Sequence, residues 1–596
     1  MSGGSAKGER PRRRRVGRIV GWSVLTVAVL LVVAAVLLVR DALEARSSFA
    51  AVVRDLPAAQ DALIAGDLDA YDRLVTDLQS ETATARASTD GPLWWLAARV
   101  PGIGPNAAAL TLVGEVVDDV AVDVLPHLGA ASGVLADGGL RLTDGRIDLD
   151  PIRAAALPLA TARDTVVDAD DRLQAFDATG LVDEIRRPLG HATEQLADLR
   201  SAVTTGHDLS VLLPPMLGGD GPRQYLVLAQ SNAELRTNGG VPGAMLLVTA
   251  DDGAVALDRT ASSSDVGPFP APVAELRPDD LAMYGEAPAR FVQDVTMIPQ
   301  FPVSGPVAAE MWRQSQGEEV DGVVAVDPVT LSYLLEAVGP VDVIGWTLDP
   351  GNVVEILLNR IYLEYPDPDD ADDVFAAVAS AVVDHVLRSP EGAGLLEVMM
   401  RAGDERRLLV WSAHADEQEL LADGLGGDFD AATGSGGVFL NDGTRSKMSY
   451  YLDTEVTIVA SECTDAGRAD TVELRLTSTV PADLVPSLPS YVTGVDLPED
   501  LLGTIRTNVA LHSPVGGAVV DIERDGVVIG GQRYDAHGRE VTVFTQDLAP
   551  SESVTIRFDL VAAEPSDAGT ATLWATPTTH ASGLVQHDVP DCSADD

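Results

Sequence analysis

The 596-residue chain has room for several domains, and 46% of its residues are apolar. Ninety-one acidic residues against 41 basic ones give a net charge of −50, which argues against nucleic acid as a partner and against adhesion to anionic lipid through a general field. An anionic ligand would need local cations or a divalent metal, and nine scattered histidines with two distant cysteines form no zinc- or haem-binding pattern.

Residues 1–18 form a basic tail with seven positive charges against Glu9, so +6 here leaves −56 on the rest of the chain. The next stretch, 19–39, is an uncharged run of 21 residues closed by Arg40 and Asp41. At about 1.5 Å per helical residue it can cross a hydrocarbon layer about 30 Å thick. It is longer than the apolar part of a secretory signal, and no A-x-A site follows it. The expectation is a single transmembrane helix with its N-terminus cytoplasmic and the bulk of the chain outside the cell membrane.

From 41 to 215, apolar residues recur at three- and four-residue spacing. This predicts an antiparallel helical bundle built from 42–64, 67–87, 107–135, 151–176 and 181–204. The first two helices are similar in length, so the segment TDGPLWWLAARVPGIGPN should return towards the bilayer. Its Trp94 and Trp95 either reach the membrane interface or pack between the bundle and the next domain.

Between 221 and 450, short apolar runs alternate with helical patterns, which predicts a three-layer α/β domain. Two runs, 225–229 and 244–248, frame the polar loop NAELRTNGG at a sheet edge. Glu234, Arg236, Asn238, Gly239 and Gly240 are candidate ligand-binding residues there. Glycines admit close backbone approach, and their N–H groups can cradle an anion. The alternative is a surface turn in which Glu234 and Arg236 pair with each other. Asp327 ends a strand before Pro328, as a ligand residue or as a helix N-cap. The stretch 406–411 reads as helical.

Beyond 450 the period becomes two, and a β-sandwich over 451–585 precedes an acidic tail at 586–596. In an exported chain Cys463 and Cys592 are expected to form one disulfide. Lys447 is the one lysine outside the first 18 residues, either kept for a role Arg cannot fill or surviving by chance.

NAELRTNGGVPGAMLLVTADDGAV, DGVVAVDPVTLSYLLEAVGPVDV, NVVEILLNRIY and SKMSYYLD together resemble a bacterial domain-of-unknown-function family, number four thousand and twelve. The resemblance covers most of 41–470 and implies a transmembrane helix, a helical region and an exported α/β domain. The same order of motifs is more distantly similar to the LytR-CpsA-Psr glycopolymer transferases, which act on polyprenyl-pyrophosphate-linked glycans. That likeness implies Arg236 and Arg360 as catalytic groups on the pyrophosphate and Asp372 or Asp373 on Mg2+. Arg forks suit phosphate. Asn238 stands where that family's motif has its aspartate, and FAAVAS where it has an arginine pair.

Two functions follow from these readings. One is a single-pass envelope protein that binds or scaffolds cell-surface glycan or a wall partner. The other is a Mg2+-dependent glycopolymer phosphotransferase.

Overall fold

The computed structural model describes Arg12 to Val589 and Cys592, except 139–141, 144–145, 366, 390–391, 423, 465–466, 495–497, 499–500 and 564–568. The chain forms two compact units, Met1–Gly139 with Asp150–Leu213, and Leu140–Leu149 with Pro214–Asp596.

The first unit is helical. Its opening helix, Arg12–Ile64, turns at Gly66 (φ +70°) into Leu68–Thr89, which Asp67 caps by accepting the Ala70 N–H at 3.0 Å. Small residues let the helices approach closely. Ala59, Tyr71, Val75 and Leu78 meet Ala121 and Leu125, and the Tyr71 hydroxyl donates to the Leu125 carbonyl at 2.7 Å. Gly104–Asp119 and Leu125–Gly138 are joined by a π-helical turn, Val120–Val124, inside the single helix expected at 107–135. Leu149–Gln174 and Asp183–Met216 complete the bundle around Val116, Val124, Val166, Leu173 and Leu196. Arg86 and Arg172 both reach Asp119, at 2.9 Å each, and fasten three helices together.

The side chains of 19–31 lie outside the described residues. Among the described residues no helix is long and apolar enough to cross a membrane.

The second unit begins with a seven-stranded sheet. Its centre is an antiparallel hairpin, Arg223–Ser231 with Val241–Asp251. Ala254–Ser262 flanks the hairpin on one side. On the other, Gly322–Val326 runs parallel to Arg223–Ser231, and Leu408–Ser412 closes the edge antiparallel. The stretch expected to be helical at 406–411 is therefore mostly strand. A run of four apolar residues, 408–411, does not distinguish the two states by itself, and here the open edge of Gly322–Val326 claims it. The far edge is a two-stranded excursion from the helical region, Leu142–Thr143 and Arg146–Ile147. Leu226, Leu228, Met245, Val323 and Ala325 pack under Met311 and Trp312 of the helix Phe301–Gln316.

Two further sheets form the β-rich C-terminal part. The strand Gly436–Asp442 pairs with Ile505–His512 and Gly569–Ala575, so it is internal to the six-stranded sheet rather than part of the domain expected to end at 450. Leu452–Thr464 and Gly467–Ser478 begin the five-stranded sheet. Leu440, Val472, Leu474, Val509 and Phe558 share one apolar cluster with Leu335, Val374 and Val378 from the helices Pro328–Val338 and Pro368–Arg388. A core continuous across both parts explains why they form one compact unit. The Cys463–Cys592 disulfide forms as expected, joining the end of Leu452–Thr464 to the segment after the last strand.

Candidate functional site

The loop NAELRTNGG leaves the central hairpin, not a sheet edge, and most of it is buried. Ala233 and Leu235 are fully enclosed, which turns the alternate residues outward. The Asn238 side-chain amide donates to the Ile298 carbonyl at 2.7 Å, and its backbone N–H to Thr296 at 3.1 Å. The loop's glycines serve this packing. A Cβ on Gly240 would collide with the Ser231 carbonyl, and one on Gly239 (φ +123°) with the Gln230 amide oxygen.

Glu234 and Arg236 face different partners. Arg236 donates from two nitrogens to Asp294, at 2.8 and 3.1 Å. Glu234 accepts from the Lys447 ammonium, which also lies 4.6 Å from the centre of the Tyr362 ring. Burial disfavours charge on Lys447, but the Glu234 carboxylate outweighs it and holds its pKa above the ordinary lysine range. The loop NDGTRSKMSYY therefore folds back against NAELRTNGG across 213 residues of sequence. Backbone bonds from Asp442 to Leu235 at 2.9 Å and from Ser449 to Ala233 at 3.2 Å lock the two together. Asp442 sits in this junction, where burial pushes its carboxyl up to about 7 against the opposing hydrogen bonds from Thr444 and the charge of Arg236.

The other expected site residues lie around this junction or apart from it. Asp327 caps the helix Pro328–Val338 by accepting the Thr330 N–H at 2.9 Å. Its second oxygen takes a 2.7 Å bond from Arg407, so a buried ion pair occupies the carboxylate. Arg360 ends a π-helical turn, Ile356–Arg360, pairs with Glu364 at 2.8 Å and lies 6.0 Å from the Trp346 ring. Asn359 in the same turn accepts the Tyr451 hydroxyl at 2.9 Å. Asp372 and Asp373 lie on the helix Pro368–Arg388, with side chains outside the described residues. Among the described residues no group of three or more His, Cys, Asp or Glu is placed to hold a metal ion.

Trp94 is 5% exposed and packs on Leu38 and Ala42, whereas Trp95 is 56% exposed under the Arg99 guanidinium, 3.6 Å from its ring centre. The two rings thus do different things, and Trp94 belongs to the bundle's own core.

A cavity of about 220 Å³ opens in the β-rich part, next to the loop junction. Val438, Leu440 and Val456 give it an apolar floor, and Thr454, His580 and Ser582 bring polar groups to it. Thr576 connects it to the hairpin loop. Its hydroxyl donates to the Thr237 carbonyl at 3.0 Å and accepts the Leu440 N–H at 2.9 Å. Arg407 holds the far side of the same turn through the Thr578 and Ala581 carbonyls, at 2.9 and 2.8 Å. These residues carry no signal of their own in the sequence, because a Thr-rich turn between strands has the same signature with or without a cavity behind it.

Residues 220–362 match a family model described as a protein of unknown function (DUF4012). That span holds the NAELRTNGG loop, Asp327 and the π-helical turn, which lie in three of the four segments that carry the resemblance. No curated protein and no solved structure matches the chain.

Proposed function

We propose that this protein is a single-pass, membrane-anchored component of the bacterial cell envelope whose extracytoplasmic bulk binds cell-surface glycan. The observation that carries the binding reading is the cavity beside Thr576. It sets an apolar floor against hydroxyl and imidazole groups and the carboxylate of Glu455, which also lines it, and this suits a sugar ring with one face of C–H and edges of O–H. Its 220 Å³ is below the roughly 300–1,000 Å³ of pockets for whole drug-sized ligands, so it would take one sugar unit of a longer polymer. Both walls are fixed, one by Thr576 and one by Arg407, and such a site pays little to order itself around a ligand.

The location outside the cell is supported by the disulfide, since such bonds persist in oxidising compartments. The basic tail ahead of the uncharged run at 19–39 supports the orientation. The transferase reading asks Arg236 and Arg360 to grip a pyrophosphate. Each instead has its own carboxylate, Asp294 or Glu364. Binding asks nothing of either arginine.

Two experiments test the proposal. Full-length protein in detergent is sedimented with isolated cell-wall sacculi, alongside a His580→Ala/Ser582→Ala variant. Two lost hydrogen bonds of about 1 kcal/mol each should weaken retention roughly tenfold or more with unfolding unchanged; equal retention would remove the cavity as the glycan site. In the second, protease added to intact cells should digest the bulk of the chain and spare an epitope placed in residues 1–18. The opposite pattern inverts the topology.

A further inference from the structure

The turn after the second helix carries a set of apolar side chains that no described residue covers. Trp95, Leu96, Val100 and Ile103 are 45–57% exposed, and on the adjoining helix Val39 and Leu43 are each 60% exposed. Three observations bear on what covers them.

The first is height. Leu68–Thr89 has 22 residues, about 33 Å of helix, and the same distance back from Ile64 along the first helix ends at residue 42. The contact of Trp94 with Leu38 and Ala42 confirms this level by packing. The turn therefore lies beside the last residues of the apolar run 19–39.

The second is charge. Residues 91–114 contain no acid, in a chain with 91 acidic residues among 596, and Arg99 is their one charged side chain. An acid-free segment, with acids only at its borders (Asp90, and Asp41 and Glu44 on the adjoining helix), is what a lipid surface would tolerate on an otherwise repelling protein.

The third is side-chain chemistry. An exposed tryptophan with an arginine stacked on it, flanked by Leu, Val and Ile, is amphipathic in the way that favours the headgroup level of a bilayer.

We propose that the turn from Trp95 to Ile103 inserts its apolar side chains at the headgroup–hydrocarbon boundary of the bilayer, beside the chain's own anchor. This rests on the membrane-anchored reading above. The contact gives the bundle a second attachment point, so its axis is held relative to the membrane instead of pivoting on a single helix.

The test uses the full-length chain in phosphatidylcholine vesicles containing lipid brominated either at the 6,7 or at the 11,12 acyl positions. The chain has seven tryptophans, and Trp22 lies inside the apolar run, so quenching of Trp22 reports the anchor and quenching of Trp95 reports the turn. In a Trp22→Phe variant, Trp95 supplies roughly one-sixth of the remaining tryptophans, and that fraction should be quenched, more strongly by the shallow bromines. A Trp22→Phe/Trp95→Phe variant should lose that quenching.

Quenching in the wild type that vanishes with Trp22→Phe alone would keep the anchor and overturn the insertion. Absence of quenching in the wild type would overturn both. A Trp95 emission that shifts to the blue with protein concentration, without bromine quenching, would assign the patch to a second copy of the chain and also overturn the insertion.

Discussion

His537 shows how one residue can fasten several segments. Its imidazole lies 3.0 Å from Asp280 and 3.2 Å from Asp430, and these carboxylates, outweighing burial, raise its pKa to about 9. A group whose folded pKa lies above the unfolded value near 6.5 adds stability that is fully present below pH 6.5 and is lost as pH rises through 9. Urea unfolding of His537→Gln should therefore fall short of wild type by on the order of 2 to 3 kcal/mol at pH 6 and approach it at pH 10. A constant difference across that range would mean the imidazole is held neutral. The Glu234–Lys447 pair is partly screened, with 23% and 19% of the side chains exposed, so its coupling should be smaller. A double-mutant cycle of Glu234→Gln and Lys447→Met, read by thermal unfolding, should give about 1 to 2 kcal/mol of coupling, between the surface and buried limits. Lys447→Arg should not restore it, because the planar fork cannot occupy the compact position over the Tyr362 ring.

Single elements show which local patterns survive packing. Trp94 and Trp95 are adjacent and chemically identical, and the six-residue helix Pro92–Ala97 sends one inward and one outward. Trp94→Ala should cost about 3 to 5 kcal/mol in helical-unit stability by circular dichroism, whereas Trp95→Ala should cost less than about 1. The disulfide closes a sequence separation of 129 residues, for which chain entropy sets a ceiling of about 5 kcal/mol. Reduction, or Cys463→Ser with Cys592→Ser, should speed amide exchange first in Leu584–Val589, the strand nearest the lost bond. Uniform acceleration across the second unit would instead place the effect on global stability. The helix Leu68–Thr89 was legible as an element because its apolar residues keep a single period. Leu408–Ser412 was not, since four consecutive apolar residues satisfy helix and strand alike until a partner strand is present.

At the scale of the whole molecule, one apolar cluster of the second unit joins the helices Pro328–Val338 and Pro368–Arg388 to the β-rich strands, so these elements should unfold together. Amide exchange of Leu335 in the helix Pro328–Val338 and of Phe558 in the β-rich part, both in that cluster, should report the same opening free energy. A gap of several kcal/mol would show two independently folding domains. The continuity was hidden in the sequence, where the change from mixed to period-two patterning near 450 reads as a boundary.

The sequence by itself determined the charge partition, the uncharged run, the helical composition of the first two hundred residues and the period-two strands of the last part. Each is a property of neighbours along the chain. It also determined that NAELRTNGG was unusual, because charged residues and glycines between two apolar runs stand out locally. Only tertiary structure decided their partners: Glu234 to Lys447 across 213 residues, Arg236 to Asp294, and Asp327 to Arg407. It alone placed a cavity behind Thr576. Charges and hydroxyls act over a few ångströms of space, and a linear pattern carries no record of which distant segments folding brings within that range.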